Sequence, residues 1–364
     1  MSIKVLHVST PTSWRGGEQQ MRYLIEELTA FDVQSFVFCS KGGVVEQFCK
    51  DSNIPFRSQK EVFAVNPAYA KSIAKYCHDE NIDLIHVHDS HAHTFAVMSA
   101  SLFGNKTPIV VSRRVDFPIS KSPLSRYKYN HPQAVRILCV SDAIKAIMAK
   151  DIERPERLET VHSGINLNRF RPIAPKGKLR NEFQIKTKYL VGNVAALAPH
   201  KDYHTFIKTV KVLVQKGLDA TYLIIGDGPM REQVEQWVKE SGVSEHIIMT
   251  GFRNDIPEIL PDLDLFLITS ETEGLGTSIL DAFACQVPVV ATQAGGIPEI
   301  VRPDYSGILA PVKDSNKLAE GVLKMLNDEK YKQEIIAGSQ QILETFTTRA
   351  VAERTSQVYR EILH

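Results

Sequence analysis

An α/β fold with two successive doubly wound domains is what three features of this 364-residue chain predict. Short apolar runs alternate with segments whose apolar residues fall at helical spacing, the pattern of parallel strands joined by crossover helices. That alternation fills the first 170 residues and restarts at Tyr189. Between the two runs lies Arg171-Pro172-Ile173-Ala174-Pro175-Lys176-Gly177-Lys178, which is rich in Pro, Gly and Lys, lacks periodicity and reads as a linker. In open α/β sheets ligands bind outside the carboxyl ends of the strands, so the two domains are expected to face one central cleft.

Composition narrows the function. At 43% hydrophobic the chain can bury a sizeable core, and its length suits two domains. The formal charge is near neutral at +1, with charged residues spread through the chain, which argues against a nucleic-acid binder. Cys39, Cys49, Cys77, Cys139 and Cys285 are odd in number and widely spaced, so they read as small buried apolar side chains of a reducing compartment, with no disulfide or metal framework. Neither a signal-peptide pattern nor a membrane-spanning run is present. The expected location is cytoplasmic, at most peripheral to the inner membrane face.

Taken in order, Ile3 to Val8 is a short apolar strand, and Trp14-Arg15-Gly16-Gly17-Glu18 leads into a helix marked by Met21, Leu24, Ile25 and Leu28. A strand, a glycine pair and a helix make a place where backbone can approach a phosphate or sugar. Val33 to Cys39 is a second strand, followed by helices at Val44 to Lys50 and Pro67 to His78. Ile82 to Val87 is a strand ending in His86-Val87-His88-Asp89-Ser90-His91-Ala92-His93. Alternation sends His86 and His88 to the same side. Four histidines suggest metal, but neither a helical i, i+4 pairing with a carboxylate nor a cysteine partner accompanies them, so no metal is assigned.

After the strand Ile109 to Ser112 come Arg113, Arg114, Lys121, Arg126 and Lys128 against the single acid Asp116. A charge run is most often a solvated face. Its place after a strand end, with aromatics and proline interleaved, also fits an anionic acceptor or a lipid headgroup. Ala134 to Val140 is a strand, and Ser141-Asp142 caps the helix that follows.

The second half repeats the plan. Tyr189 to Leu197 is a strand running into Ala198-Pro199-His200-Lys201-Asp202 and a helix with Phe206, Val210 and Leu213. The strand Thr221 to Ile225 ends in Gly226-Asp227-Gly228-Pro229, but Arg231 breaks the dinucleotide glycine pattern, which disfavours a dehydrogenase. Further strands are expected at Ile247 to Thr250, before Gly251-Phe252-Arg253, and at Leu265 to Thr269. Asp262-Leu263-Asp264 precedes that last strand and is read as structural. Three helical segments close the chain from Asn316, the last over about Thr348 to Leu363.

The densest signal is Ser270 to Ile300. Glu273, Gly274, Leu275 and Gly276 lead into Thr277-Ser278 and an apolar helix, whose unpartnered N–H groups favour an anion. Glu273 lies in the loop and Asp281 about one turn inside the helix, so both could face a ligand at the helix start. Pro288 to Ala291 reads as a strand buried on both faces, and Gly295-Gly296 turns into Pro298-Glu299.

This string resembles the family 4 glycosyltransferases of the GT-B fold: an acid, seven residues, a second acid, then Ala282, Pro288 to Ala291, Gly295, Gly296, Pro298 and Glu299. Here the second acid is Asp281 where the family has Glu. The glycine pair after the first strand, the His-x-His at His86 to His88 and the segment Val161 to Asn166, with Ser163 in place of the usual Asn, extend the likeness over nearly the whole chain. The resemblance implies two Rossmann-like domains: an acceptor-binding one over 1–170, joined by the final helix at about 348–364, and a donor-binding one over 171–347.

It further implies retaining, metal-independent transfer from a nucleotide-diphosphate sugar, a UDP-sugar ahead of a GDP-sugar. The acceptor would be a hydroxyl of a glycan, lipid-linked or phosphorylated molecule, as in cell-surface polysaccharide or glycolipid synthesis. His88 would face the reacting sugar, Lys201 the departing diphosphate and Glu273 the donor sugar's hydroxyls. Asp281 would hold ribose hydroxyls, Gly16 and Gly17 would approach the diphosphate, and Arg253 would lie near the base. Gly274, Leu275, Gly276, Thr277 and Ser278 complete the donor set. Arg113, Arg114, Arg126 and Lys128 are the acceptor candidates, with contact to an anionic membrane as a further expectation. No cofactor and no metal are expected. The family places an Arg five residues before the lysine, and this chain has Ala196 there. A competing reading is therefore a sugar-nucleotide or glycan-binding protein on the same fold that has lost turnover.

Overall fold

The structure is a computed structural model, and it describes residues 2–60, 65–119 and 122–364. Lys121 lies outside the described residues. The chain forms two compact units: residues 1–164 with 348–364, and residues 165–347. It passes from the first to the second between Gly164 and Ile165. The Pro- and Gly-rich stretch 171–178 lies inside the second unit, where the Gly177 and Leu179 N–H groups donate to the Asp262 carboxylate, both at 2.5 Å.

Unit 1 runs in order β1 (Ile3–Ser9), α1 (Gly16–Leu28), β2 (Val33–Ser40), α2 (Val44–Asp51), β3 (Phe56–Gln59), α3 (Pro67–Glu80), β4 (Leu84–Val87), α4 (Ser90–Phe103), β5 (Ile109–Arg113), α5 (Pro123–Asn130), β6 (Ala134–Cys139), α6 (Asp142–Met148) and β7 (Leu158–Thr160). Unit 2 continues with α7 (Lys178–Glu182), β8 (Tyr189–Val194), α8 (Tyr203–Gln215), β9 (Ala220–Ile225), α9 (Arg231–Glu240), β10 (Ile247–Gly251), α10 (Ile256–Ile259), β11 (Leu265–Ile268), α11 (Thr277–Ala284), β12 (Val289–Thr292), α12 (Ile297–Ile300), β13 (Ile308–Ala310), α13 (Ser315–Asn327) and α14 (Glu329–Thr345). The last helix, α15 (Thr348–Leu363), returns to unit 1.

Both sheets are parallel. Their strand orders are β3-β2-β1-β4-β5-β6-β7 and β10-β9-β8-β11-β12-β13. Each order reverses direction once, between β1 and β4 in unit 1 and between β8 and β11 in unit 2. Such a switch point opens a crevice at the carboxyl ends of its two strands. Parallel strands covered on both faces are mostly apolar, and all six residues of β9 and all four of β11 are buried. Helix starts follow from short polar caps: Asp89 accepts from the His91 and Ala92 N–H groups at 2.9 Å, and Ser141 accepts from Ile144 at 3.1 Å. Helix α15 is held on unit 1 by Tyr359, whose hydroxyl lies 2.6 Å from His86 Nδ1, and by Arg360, which donates to the Phe31 carbonyl at 2.6 Å.

The aspartates of Asp262-Leu263-Asp264 are occupied. Asp262 takes the two N–H groups named above, and Asp264 accepts from the Leu190 N–H at 2.9 Å and from Arg180 at 3.4 Å. All five cysteines are buried as free thiols. Among the described residues no helix is long and apolar enough to cross a membrane.

Candidate functional site

The switch point of unit 2 gathers the densest set of predicted residues. The β8 strand exits through Ala195 to Lys201, and β11 exits through Thr269 to Gly276. The first of these loops is shaped by glycines of the neighbouring β9 exit. A Cβ on Gly226 would lie 1.9 Å from the Ala195 carbonyl oxygen, and one on Gly228 2.6 Å from that of Leu197. Asp202, in the left-handed region at φ 47°, ends the loop and caps α8 through the Thr205 N–H at 3.1 Å.

The two exits meet in an ion pair. Lys201 Nζ lies 2.5 Å from Glu273 Oε2, with the side chains only 14% and 13% exposed. The Ser270 hydroxyl donates to the same Glu273 oxygen at 3.1 Å, and the Glu271 N–H reaches the His200 carbonyl at 2.8 Å. Behind Glu273 the Gly295-Gly296 turn closes in: the Gly296 N–H donates to the Glu273 carbonyl at 2.9 Å, and a Cβ on Gly295 would stand 2.0 Å from that oxygen. Gly276, at φ 87°, turns the chain into α11, whose start receives no side-chain cap. Its first N–H groups, from Thr277 and Ser278, are thus left for a ligand or water. Thr277 is exposed and Ser278 half-buried, whereas the Leu275 side chain is buried at 3%. Leu275 can offer only its backbone.

Asp281, a turn further in, keeps some surface contact yet sits among enough protein for burial to push its carboxyl pKa up to about 7, against a smaller opposing effect of Arg169. Ala196 is exposed, with its methyl group where an arginine was expected. Arg253 is committed elsewhere: its guanidinium meets Glu182 at 2.5 Å and Asp255 at 2.8 Å, and those bonds raise its pKa and lower that of Asp255. A contact from its side chain to a base would have to break this double pairing. A cavity of about 420 Å³ in the same unit, with Pro199, His204, Lys208, Met230, Trp237 and Lys313 in its lining, includes none of the predicted site residues.

In unit 1 the switch point holds His88 at the end of β4 and the Gly16-Gly17 start of α1. Among the described residues nothing lies within 4 Å of where a Cβ would be on either glycine. His88 is 6% exposed and its Nε2 is 3.0 Å from Nδ1 of His7, a residue the sequence reading did not single out. Glu18 is buried and accepts the Arg15 N–H at 3.1 Å, and burial raises its pKa. Arg114 is half-buried, with Nε and Nη1 buried and without a hydrogen-bond partner among the described residues, and burial lowers its pKa to about 10 in spite of the nearby Glu18 and Asp89 carboxylates.

The other basic residues divide. Lys128 is buried and donates to the Ser90 carbonyl at 2.9 Å and to the Ser90 and Thr94 hydroxyls at 2.8 and 3.3 Å, with a pKa lowered by burial to about 8. Arg113 is buried between Tyr129 and Phe117, donating to the Tyr129 hydroxyl at 3.0 Å. Both ammonium and guanidinium serve to join α4, α5 and the β5 exit, because a buried cation must be bonded. Arg126 alone of the four is exposed.

Two parallel, doubly wound units place the chain in the GT-B fold class, which its structural neighbours share. Two family models together span most of the chain: "Glycosyltransferase Family 4" matches residues 14–169 and "Glycosyl transferases group 1" residues 175–341. The chain belongs to the family 4, group 1 glycosyltransferases. It is similar to the N-acetyl-alpha-D-glucosaminyl L-malate synthase of Bacillus anthracis, 25% identical over 84% of this chain and 82% of that one. It is also similar to the UDP-Gal:alpha-D-GlcNAc-diphosphoundecaprenol alpha-1,3-galactosyltransferase of Escherichia coli, 23% identical over 90% of this chain and 89% of that one. Among solved structures, Anabaena HepE in complex with UDP-glucose superposes with a TM-score of 0.84 at 20% identity, covering 99% of this chain and 100% of that one. A glycosyltransferase from Rickettsia africae reaches 0.85 at 17% identity, covering 100% and 99%.

Proposed function

We propose that this glycosyltransferase moves a sugar from a UDP-sugar to a hydroxyl of a glycan, phosphorylated or lipid-linked acceptor, with retention and without a metal. The observation that carries the donor half is the Lys201–Glu273 pair at the unit 2 switch point. A mostly desolvated ion pair is costly to break unless a replacement charge arrives. A diphosphate is such a replacement. It takes the Lys201 ammonium and the α11 N–H groups, where negative charge builds as the leaving group departs, and this frees Glu273 to accept hydrogen bonds from sugar hydroxyls. Asp281 accepts from the ribose. His88 faces the reacting sugar, and no carboxylate is assigned as a nucleophile, so the acceptor hydroxyl attacks from the face the diphosphate leaves.

The UDP preference and the lipid-linked acceptor draw support from relatives: HepE was solved with UDP-glucose, and the Escherichia coli enzyme is named for UDP-Gal and a diphosphoundecaprenol acceptor. On the acceptor side the reading now rests on Arg114 and Arg126, since Lys128 and Arg113 are bonded internally. The test is a thermal-shift screen with UDP, GDP and their sugars. A nucleotide at 100 times its Kd should stabilise by about 2.7 kcal/mol, and stabilisation by GDP alone would overturn the UDP reading. One observation favours the alternative of a binding protein without turnover: the exposed methyl of Ala196 leaves Lys201 without the family's second cation. If the wild type binds UDP-sugars without consuming them and Ala196→Arg restores turnover, that alternative holds.

A further inference from the structure

Three imidazoles meet below the carboxyl edge of the unit 1 sheet. His7 pairs in register with His86 on the neighbouring strand, and His88 follows two residues later on the same side. The His86 and His88 ring centroids are 4.3 Å apart, and His7 stacks on His88 at 5.2 Å. Both His86 nitrogens are engaged, Nδ1 with the Tyr359 hydroxyl at 2.6 Å and Nε2 with the Ser112 hydroxyl at 2.8 Å. His7 Nδ1 meets His88 Nε2 at 3.0 Å, and His7 Nε2 has the Ser35 hydroxyl at 3.4 Å. His88 Nδ1 is buried and has no hydrogen-bond partner among the described residues. One ligand atom from each ring falls within 4.8 Å of the others, but a metal would have to displace these hydroxyls or the His7–His88 bond.

Burial keeps all three rings neutral, with His7 lowered to about 3 and the other two well below the ordinary histidine value. Each ring then carries one N–H. In the His7–His88 bond one ring donates and the other accepts, so the tautomer of His7 decides that of His88.

We propose that His7 is a positioning residue for His88: it ties Nε2 of His88 inward and leaves Nδ1 as the ring nitrogen that meets a sugar hydroxyl. The proposal rests on the reading of His88 as the residue facing the reacting sugar. A hydroxyl both donates and accepts, so it can satisfy Nδ1 in either tautomer. What His7 supplies is a fixed ring in a single protonation state, as outer partners of functional histidines do elsewhere.

The test uses the full chain with His7→Phe, His7→Asn, His88→Ala and the His7→Phe/His88→Ala double variant. Nitrogen NMR of the imidazoles at neutral pH reads the His88 tautomer, and nucleotide release from UDP-glucose, UDP-galactose, UDP-N-acetylglucosamine and GDP-mannose reads turnover. Wild type should show one His88 tautomer, and His7→Phe a mixture. His7→Phe should lower kcat about tenfold or more at unchanged donor KM. His7→Asn, which keeps an amide near the Nδ1 position, should restore most of the rate and covers the case in which the Phe variant does not fold. In the His88→Ala background His7→Phe should change nothing further. An unaltered His88 tautomer in both His7 variants, or an additive rate loss in the double variant, overturns the proposal. Wild-type turnover by His88→Ala, with the tautomer coupling intact, instead overturns the role of His88 itself.

Discussion

Lys201 and Glu273 are 72 positions apart in sequence and 2.5 Å apart in space. Their loops were legible because each follows an apolar strand, and their roles came from the resemblance to family 4; their pairing was not legible, since strand adjacency is a property of the sheet. Asp281 carries a prediction in which stability and binding move in opposite directions. Its carboxyl pKa is about 7 in the folded chain against 3.8 for the free group. Between those values Asp281 binds more protons in the native state than in the unfolded one, so its own contribution to stability falls as pH rises from about 4 to 7 and is level above that. Asp281→Asn should therefore melt higher than wild type at pH 8, with the gap closing toward pH 4, and should weaken UDP binding by about 1–3 kcal/mol. Calorimetry at the two pH values checks both halves. A variant that melts lower at pH 8 would contradict the burial argument. Lys128 and Arg113 show where sequence reading stopped: a basic run announces charge, but only packing shows that two of its cations are buried and bonded.

Elements were legible in proportion to their burial. The central strands β1, β4, β8 and β11 are mostly apolar because both faces are covered, with His7, His86 and Asn193 among the buried polar exceptions. The segments the sequence did not mark as strands, β3, β7 and β13, are all sheet edges, three or four residues long, each with one neighbour among the described residues. Edge strands of three or four residues carry too few positions for a periodicity to be read, whereas the five-residue edge strand β10 was marked by its apolar run. The turn at Gly295 was legible as a glycine pair and is explained by contact. At φ 51°, with a Cβ position 2.0 Å from the Glu273 carbonyl oxygen, Gly295→Ala should cost at least about 2 kcal/mol and displace Glu273. A melting temperature unchanged by this substitution would show that the turn yields easily. Around α5 the exposed side chains include Phe117, Leu124 and Tyr127 beside Arg126. Co-sedimentation with vesicles containing anionic lipid should fall on Arg126→Glu, and high salt should weaken wild-type binding in the same way. Binding that ignores both would leave this face as ordinary solvated surface.

At the scale of the molecule, the two units share one plan, a parallel sheet whose strand order reverses once, and most predicted site residues fall at those two reversals. That plan was legible as a restarted alternation of strands and helices, although the chain crosses between units at Gly164 and not in the stretch 171–178. We propose above all a dependence of sugar transfer on the Lys201 ammonium meeting a departing diphosphate. It is tested most directly by nucleotide release from UDP-glucose, UDP-galactose, UDP-N-acetylglucosamine and GDP-mannose, measured for the wild-type chain and for Lys201→Ala. With Lys201 as the cation carried over from the family's pair, the wild type should release nucleotide from at least one UDP-sugar. The variant should fall by about a hundredfold or more while remaining folded. A Lys201→Ala variant that keeps the wild-type rate would contradict the claim.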